Sequence, residues 1–240
     1  MKKILVVSCF MLFMNFSWSC EASTVSDDFN DGNDDGWSAL PAGTNYSLGN
    51  WKIENNTVKQ DLGGDSYKFL LDNFFISNQS VESKVLYFGS SGYGGITIWY
   101  QDPNNWVDIM VLPAYGPTGI WIIEKNNGVE QVFKYSYVYN ERIWYKLGVD
   151  ADSLTGEIKV YMDNVYLFTH NAATNNRAGL SGFNSGNSGG YFDDFKLSWN
   201  ILLTPSGKDE CKEEGWKLFN NPTFKNQGNC VSYIESKRSK

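Results

Sequence analysis

From residue 26 to residue 199, apolar and polar side chains alternate with a period of two. Runs rich in β-branched and aromatic residues recur at 95–100, 107–111, 119–123, 129–135, 144–149 and 157–162. Each is bounded by Gly, Asn, Asp or Pro, so each reads as a strand closed by turn residues. Asn126-Asn127-Gly128 and Asp163-Asn164 stand where tight turns between antiparallel strands need tolerance of positive φ. The stretch 179–190, with Asn184, Ser185, Asn187 and Ser188, reads as a loop before the last strand. No window carries the 3.6-residue period of a long amphipathic helix. Many short strands at regular spacing predict an all-β chain folded as a two-sheet antiparallel sandwich or jelly roll.

The two ends of the chain follow other patterns. Lys2 and Lys3 precede an apolar run over 4–16, which gives way to Ser17-Trp18-Ser19. That order predicts a secretory signal peptide over 1–22. The run is too short for a permanent span, and no later stretch reaches the length of one, so no transmembrane helix is expected. Cleavage near Ser19 or Ala22 would release a secreted or periplasmic protein. Cys20 directly after Ser19 keeps open the alternative of acylation, with a lipid anchor at Cys20 and the protein held at the outer surface.

Apart from Cys9 and Cys20, the cysteines are Cys211 and Cys230. Export would place them in an oxidising compartment, where a disulfide is the default reading. Such a bridge constrains the unfolded chain by about 3 kcal/mol in the entropic model. The polar, breaker-rich stretch 201–210 reads as a linker, and 211–240 as a small unit in which the bridge substitutes for a core.

Composition narrows the chemistry. With 20 Lys+Arg against 27 Asp+Glu, the formal charge of −7 argues against nucleic acid as a partner. The 16% share of aromatic residues is too high for a disordered chain. His170 is the one histidine; in Thr169-His170-Asn171-Ala172 it reads as a solvated loop residue with no nucleophile beside it. The glycine-rich run 89–95 has no helix after it and is no phosphate cradle. Asp31-Gly32-Asn33-Asp34-Asp35-Gly36 begins like a calcium loop, but Ala42 stands where an EF-hand has its closing Glu.

Asp27-Asp28-Phe29-Asn30-Asp31-Gly32-Asn33-Asp34-Asp35-Gly36-Trp37 resembles the first strand and turn of exported concanavalin A-like (laminin-G-like) domains. Four further segments resemble the same family in the same order. They are Trp51-Lys52-Ile53-Glu54-Asn55-Asn56, Trp144-Tyr145-Lys146-Leu147-Gly148-Val149, Glu157-Ile158-Lys159-Val160-Tyr161-Met162-Asp163, and Gly190-Tyr191-Phe192-Asp193-Asp194-Phe195-Lys196-Leu197. The resemblance implies a jelly roll over 24–200 with its first and last strands adjacent. Such domains include glycan-binding modules, 3-keto-disaccharide hydrolase-like domains and glucanases, so fold alone does not select function. The tail, from Cys211 through Gly215-Trp216 to Cys230-Val231, resembles a short cysteine module at the C-terminus of exported bacterial proteins.

Glucanases of this fold place carboxylates along one strand in a Glu-x-Asp-x-Glu-like pattern, and none occurs here. The expectation is therefore a noncatalytic, lectin-like module for an extracellular or cell-surface glycan. A glycoside hydrolase, or an adhesion domain recognising protein, is the alternative. Pyranose C–H faces stack on aromatic rings while amides and carboxylates take the hydroxyls. Trp99, Trp106 and Trp121 are the candidate platforms on the concave sheet, with Asp102 and Asn104 as polar partners. Trp99 and its neighbour Tyr100 should point to opposite faces, leaving one of them in the core. Alternation in the last strand puts Asp193 on the apolar face with Tyr191, Phe195, Leu197 and Trp199. With Asp28 across the sheet, that pair would call for a structural Ca²⁺.

Overall fold

The computed structural model describes residues 3–5, 23–43, 47–64, 66–86, 92–112, 119–140, 142–186, 190–199, 205, 207–213, 215–218, 222 and 224–238. They fall into two compact units, one built on 24–199 together with 3–5, the other on the described residues of 205–238.

The larger unit is two antiparallel sheets. One has the order β11 (Val129–Tyr135), β10 (Ile120–Asn126), β9 (Asn105–Val111), β8 (Tyr93–Asp102), β15 (Leu180–Gly186), β6 (Tyr67–Leu71) and β3 (Trp37–Leu40). The other runs β1 (Lys3–Leu5), β2 (Ser23–Asp27), β16 (Gly190–Trp199), β7 (Gln79–Leu86), β12 (Tyr145–Ala151), β13 (Glu157–Met162) and β14 (Val165–Asn171). In that sheet β5 (Thr57–Gln60) also pairs with β16, and β4 (Trp51–Glu54) pairs with β5. First and last strands of the domain are thus neighbours, as expected. Lys3–Leu5, inside the expected leader, pairs along β2, whereas 6–22, Cys20 among them, lie outside the described residues.

Six of the strands are those read from the alternation, and the two turns have the expected geometry. Asn127 and Gly128 have φ of 49° and 82°, Asp163 and Asn164 of 51° and 64°. Positive φ at both central residues is what a two-residue hairpin turn demands. Facing side chains of the two sheets fill one core, in which Trp37 stacks on Phe69 and Phe183 and takes the edge of Phe195. Its indole N–H donates to the buried Asp27 carboxylate at 3.0 Å, so the ring is oriented as well as buried.

Three expectations are corrected. Residues 180–186 are the buried strand β15 rather than a loop. Small side chains there serve close packing, since a Cβ on Gly182 would collide with the Phe69 carbonyl. In β16 the register shifts between Asp193 and Lys196, with Asp194 at φ 48°. That bulge turns Phe192, Phe195 and Leu197 into the core and leaves Asp193 half-buried, off the apolar face. His170 lies in β14 and is buried. Its Nε2–H donates to Glu124 Oε1 at 2.6 Å, and its Nδ1 accepts the Tyr135 hydroxyl at 2.8 Å. Glu124 also accepts the backbone N–H groups of Ala173 and Thr174. Because β11 and β14 end their respective sheets, these three side chains close one edge of the sandwich.

In the smaller unit Cys211 and Cys230 form a disulfide. The bridge and Ile234 are buried under Trp216, Phe224, Val231 and Tyr233, against the helix α1 (Gln227–Arg238). Of the expected linker, 201–204 and 206 lie outside the described residues, as do 89–91 of the glycine-rich run.

Candidate functional site

The two sheets differ on their outer faces. Strands of the nine-stranded sheet alternate between buried and open positions, whereas β6, β8, β9 and β15 are buried on both faces almost throughout. The segment after β3 supplies part of the cover. The Pro41 carbonyl accepts the Tyr100 hydroxyl, and the Ala42 carbonyl accepts both Trp106 Nε1–H and the Lys125 ammonium.

Beside this cover is a pocket of ≈120 Å³, lined by Ser66, Tyr93, Trp106, Asp108, Met110 and Glu130 together with Ala42 and Ile123. Strand register assembles it. Thr97, Asp108 and Ile123 stand opposite one another across β8, β9 and β10. Alongside, Trp106 faces Lys125 and Met110 faces Trp121. Beyond them Lys125 faces Glu130 and Trp121 faces Lys134 on β11.

Its floor is charged and closed. Lys68 and Asp108 form an ion pair with both side chains wholly buried. Asp108 Oδ1 accepts the Thr97 hydroxyl at 2.7 Å, and Oδ2 accepts the Ser66 hydroxyl as well as the Lys68 ammonium. The ammonium also lies 3.9 Å from the Trp106 ring centroid. Burial pushes the Asp108 carboxyl up and the Lys68 ammonium down, each opposed by the charge of the other. Both Asp108 oxygens are thus held by internal donors. Among the described residues lining the pocket, the carboxylate open to a ligand is that of Glu130, which is exposed and pairs with Lys125 at 3.1 Å.

The expected site residues scatter. Trp99 is fully buried in the core, its N–H donated to the Ser77 carbonyl, and is no platform. Strict alternation would aim it outward with Thr97. A bulge between Ile98 and Asp102, with Trp99 at φ 52°, turns it inward beside Ile98 and sends Tyr100 to the outer face. Trp106 does reach the pocket, but Lys68 covers its ring and Ala42 takes its N–H, so it offers no open stacking face. Trp121 is half-buried on the same outer face, with the Lys134 ammonium 4.1 Å from its ring centroid. Asp102 and Asn104 build the β8–β9 turn. The Asp102 carboxylate accepts the Asn104 N–H and the Asn105 amide, and the Asn104 carbonyl accepts the Gly128 N–H.

Asp28 and Asp193 come within electrostatic reach of each other. Burial raises the Asp193 pKa, and the charges of Asp194 and Asp28 add to that rise. Their carboxylates accept the N–H groups of Asn30 and Asp194 respectively. Among the described residues no group of three or more His, Cys, Asp or Glu gathers as a metal centre.

Lys68, Asp108 and Glu130 escaped sequence reasoning. A signal was present: Lys68 and Asp108 each interrupt an otherwise apolar strand, as oppositely charged partners must when both faces are buried.

The backbone arrangement recurs in solved structures. Carbohydrate-binding module CBM66 from Bacillus subtilis matches with a TM-score of 0.56 at 17% identity, covering 67% of this chain and 94% of its own. The fold is a concanavalin A-like jelly roll. Bacillus licheniformis β-glucanase has it too (TM-score 0.53, 12% identity, 74% of this chain and 98% of that one). A β-1,3-1,4-glucanase derived from a mouse hindgut metagenome does as well (0.54, 10%, 74% and 99%). No family model matches the chain, and no curated protein matches it in sequence. At these identities the likeness establishes the jelly roll alone.

Proposed function

We propose that the protein is an exported glycan-binding module that holds sugar at the outer-face pocket of the seven-stranded sheet without cleaving it. The observation that carries this reading is the state of the carboxylates. Glycoside hydrolysis needs two carboxyl groups reaching across one bond. Asp108 is sealed by Lys68, Thr97 and Ser66, which leaves Glu130 as the single addressable acid among the described residues that line the pocket. What faces a ligand is suited to recognition: Tyr93 and the nearby Trp121 for C–H faces, with Glu130 and Ser66 for hydroxyls. Structural neighbours that bind or act on carbohydrate support the same ligand class. A disulfide suits an oxidising compartment, and among the described residues no helix is long and apolar enough to cross a membrane.

Retention on a panel of immobilised polysaccharides, run beside a reducing-end release assay, tests the reading. Binding without release is expected, and Trp121→Ala should weaken retention about tenfold, the scale of one lost aromatic contact. Release of reducing ends that Glu130→Gln abolishes would replace the binder with a hydrolase.

A further inference from the structure

A glycine in the interior of a strand sacrifices about 0.5–1 kcal/mol of stability, and usually the backbone geometry explains why it is there. Gly182 and Gly179 are explained in that way, because a Cβ on either would collide with backbone atoms of the next strand. Gly148, in the middle of β12, is not. A Cβ there would sit 3.5 Å from Tyr161 Cβ, an ordinary contact. Leu147 and Val149 on either side point into the core, so Gly148 faces outward with Lys146 and Asp150. In register it lies between Glu82 on β7 and Tyr161 on β13. Leaving out a side chain at this one place opens a slot of ≈260 Å³ lined by Ser80, Glu82, Lys146, Asp150, Tyr161 and Asn164.

We propose that this slot over Gly148 is a second binding site, separate from the pocket above and independent of that reading, which takes a single neutral sugar ring. The Tyr161 ring forms one wall. Tyr166 packs edge-on against it with centroids 5.9 Å apart, which holds it for stacking. Glu82 forms the other wall and is held by Lys146 at 3.0 Å and Lys196 at 3.9 Å. Lys146 also donates to Asn164 Oδ1 at 3.0 Å. Glu82 is thus balanced by two ammonium groups, and Asp150 is engaged by the Tyr161 hydroxyl, which favours an uncharged ligand over an ion. Oxygen acceptors, an ammonium and a hydroxyl around an aromatic wall match the C–H face and hydroxyl rim of a sugar. The volume lies just below the range of pockets for drug-sized ligands, which fits one ring rather than a chain.

The test is a titration of the ¹⁵N-labelled full chain with glucose, galactose, mannose, fructose and N-acetylglucosamine, each to about 50 mM, the regime of millimolar affinity. At least one sugar should shift the Gly148 and Tyr161 amide signals saturably. Gly148→Val should weaken that binding more than tenfold while the protein melts no lower, since valine suits a strand. Tyr161→Ala should give the same loss and carries the test if the valine variant does not fold. Trp121→Ala should leave the slot unaffected, which separates this site from the pocket on the other sheet. If no sugar moves these signals, if binding survives both slot variants, or if it disappears with Trp121→Ala, the second site is overturned.

Discussion

Lys68→Met is expected to destabilise the jelly-roll unit by about 3–5 kcal/mol, the cost of leaving a buried charge without its partner. Asp108 lies beneath the pocket with no exposed surface, and after the change it would keep only the Thr97 and Ser66 hydroxyls. For a unit of this size, the loss corresponds to a melting temperature lower by on the order of 10 °C. The defect should depend on pH with a definite sign. Burial already pushes the Asp108 carboxyl up, and removal of the ammonium pushes it further. A carboxyl with a raised folded-state pKa favours folding below its unfolded value and loses that contribution as pH rises through the folded one. The gap between Lys68→Met and the parent should therefore narrow from pH 7 to pH 4. Lys68→Met combined with Asp108→Leu should recover most of the loss, because a buried ion pair exchanged for apolar residues is often neutral. Calorimetry of the two variants at both pH values decides the matter. A single variant that melts within about 1 °C of the parent would mean that the pair is not buried in solution.

That buried pair also marks where sequence reasoning stops short. Period-two alternation located β9, β10 and β13 because each presents one clean apolar face to the core or a continuous buried run. It failed wherever a bulge resets the period by one residue. At Trp99 the positive φ that makes the bulge belongs to a residue that rarely adopts it, so composition carries no warning; Asp194 tolerates positive φ, but nothing distinguishes it from Asp193 beside it. One slip moved Trp99 from candidate platform to core, and the other moved Asp193 off the apolar face. The strand β15 was hidden for a different reason. Its Gly182, Asn184 and Ser185 look like loop residues, yet Gly182 is required by the close approach of the β6 backbone and the other two are buried polar side chains. Of the outer-face pocket, Trp106 and Trp121 were legible as aromatics in strands. The Lys68 partner of Asp108 was not, because the two lie 40 residues apart and meet only through register across β15 and β8.

Glu124→Gln is the second substitution with a large expected effect, about 2–3 kcal/mol, the worth of a hydrogen-bond set to a charged group. Glu124 stands on β10, its partner His170 on β14, and Tyr135 on β11, so the carboxylate joins one sheet to the edge of the other. Glutamine keeps the shape but carries no charge, and cannot accept His170, Ala173 and Thr174 together with equal strength. Burial works against the Glu124 carboxylate, but the hydrogen bonds from His170, Thr174 and Ala173 outweigh it and hold its pKa below the ordinary 4.5. A carboxyl with a lowered folded-state pKa contributes fully above its unfolded value and loses that contribution as pH falls through the folded one. The penalty of Glu124→Gln should accordingly be largest near neutral pH, begin to shrink below about pH 4.5, where the unfolded carboxyl takes up a proton, and fade as pH drops through the lower folded value. Urea denaturation at pH 7 and at pH 3.5 measures this directly, and hydrogen exchange at the Ala173 and Thr174 amides localises it. A penalty of the same size at both pH values would assign the effect to packing. Loss that appears only at neutral pH, with the two amides exposed, identifies a charge that holds the open edges of the two sheets together.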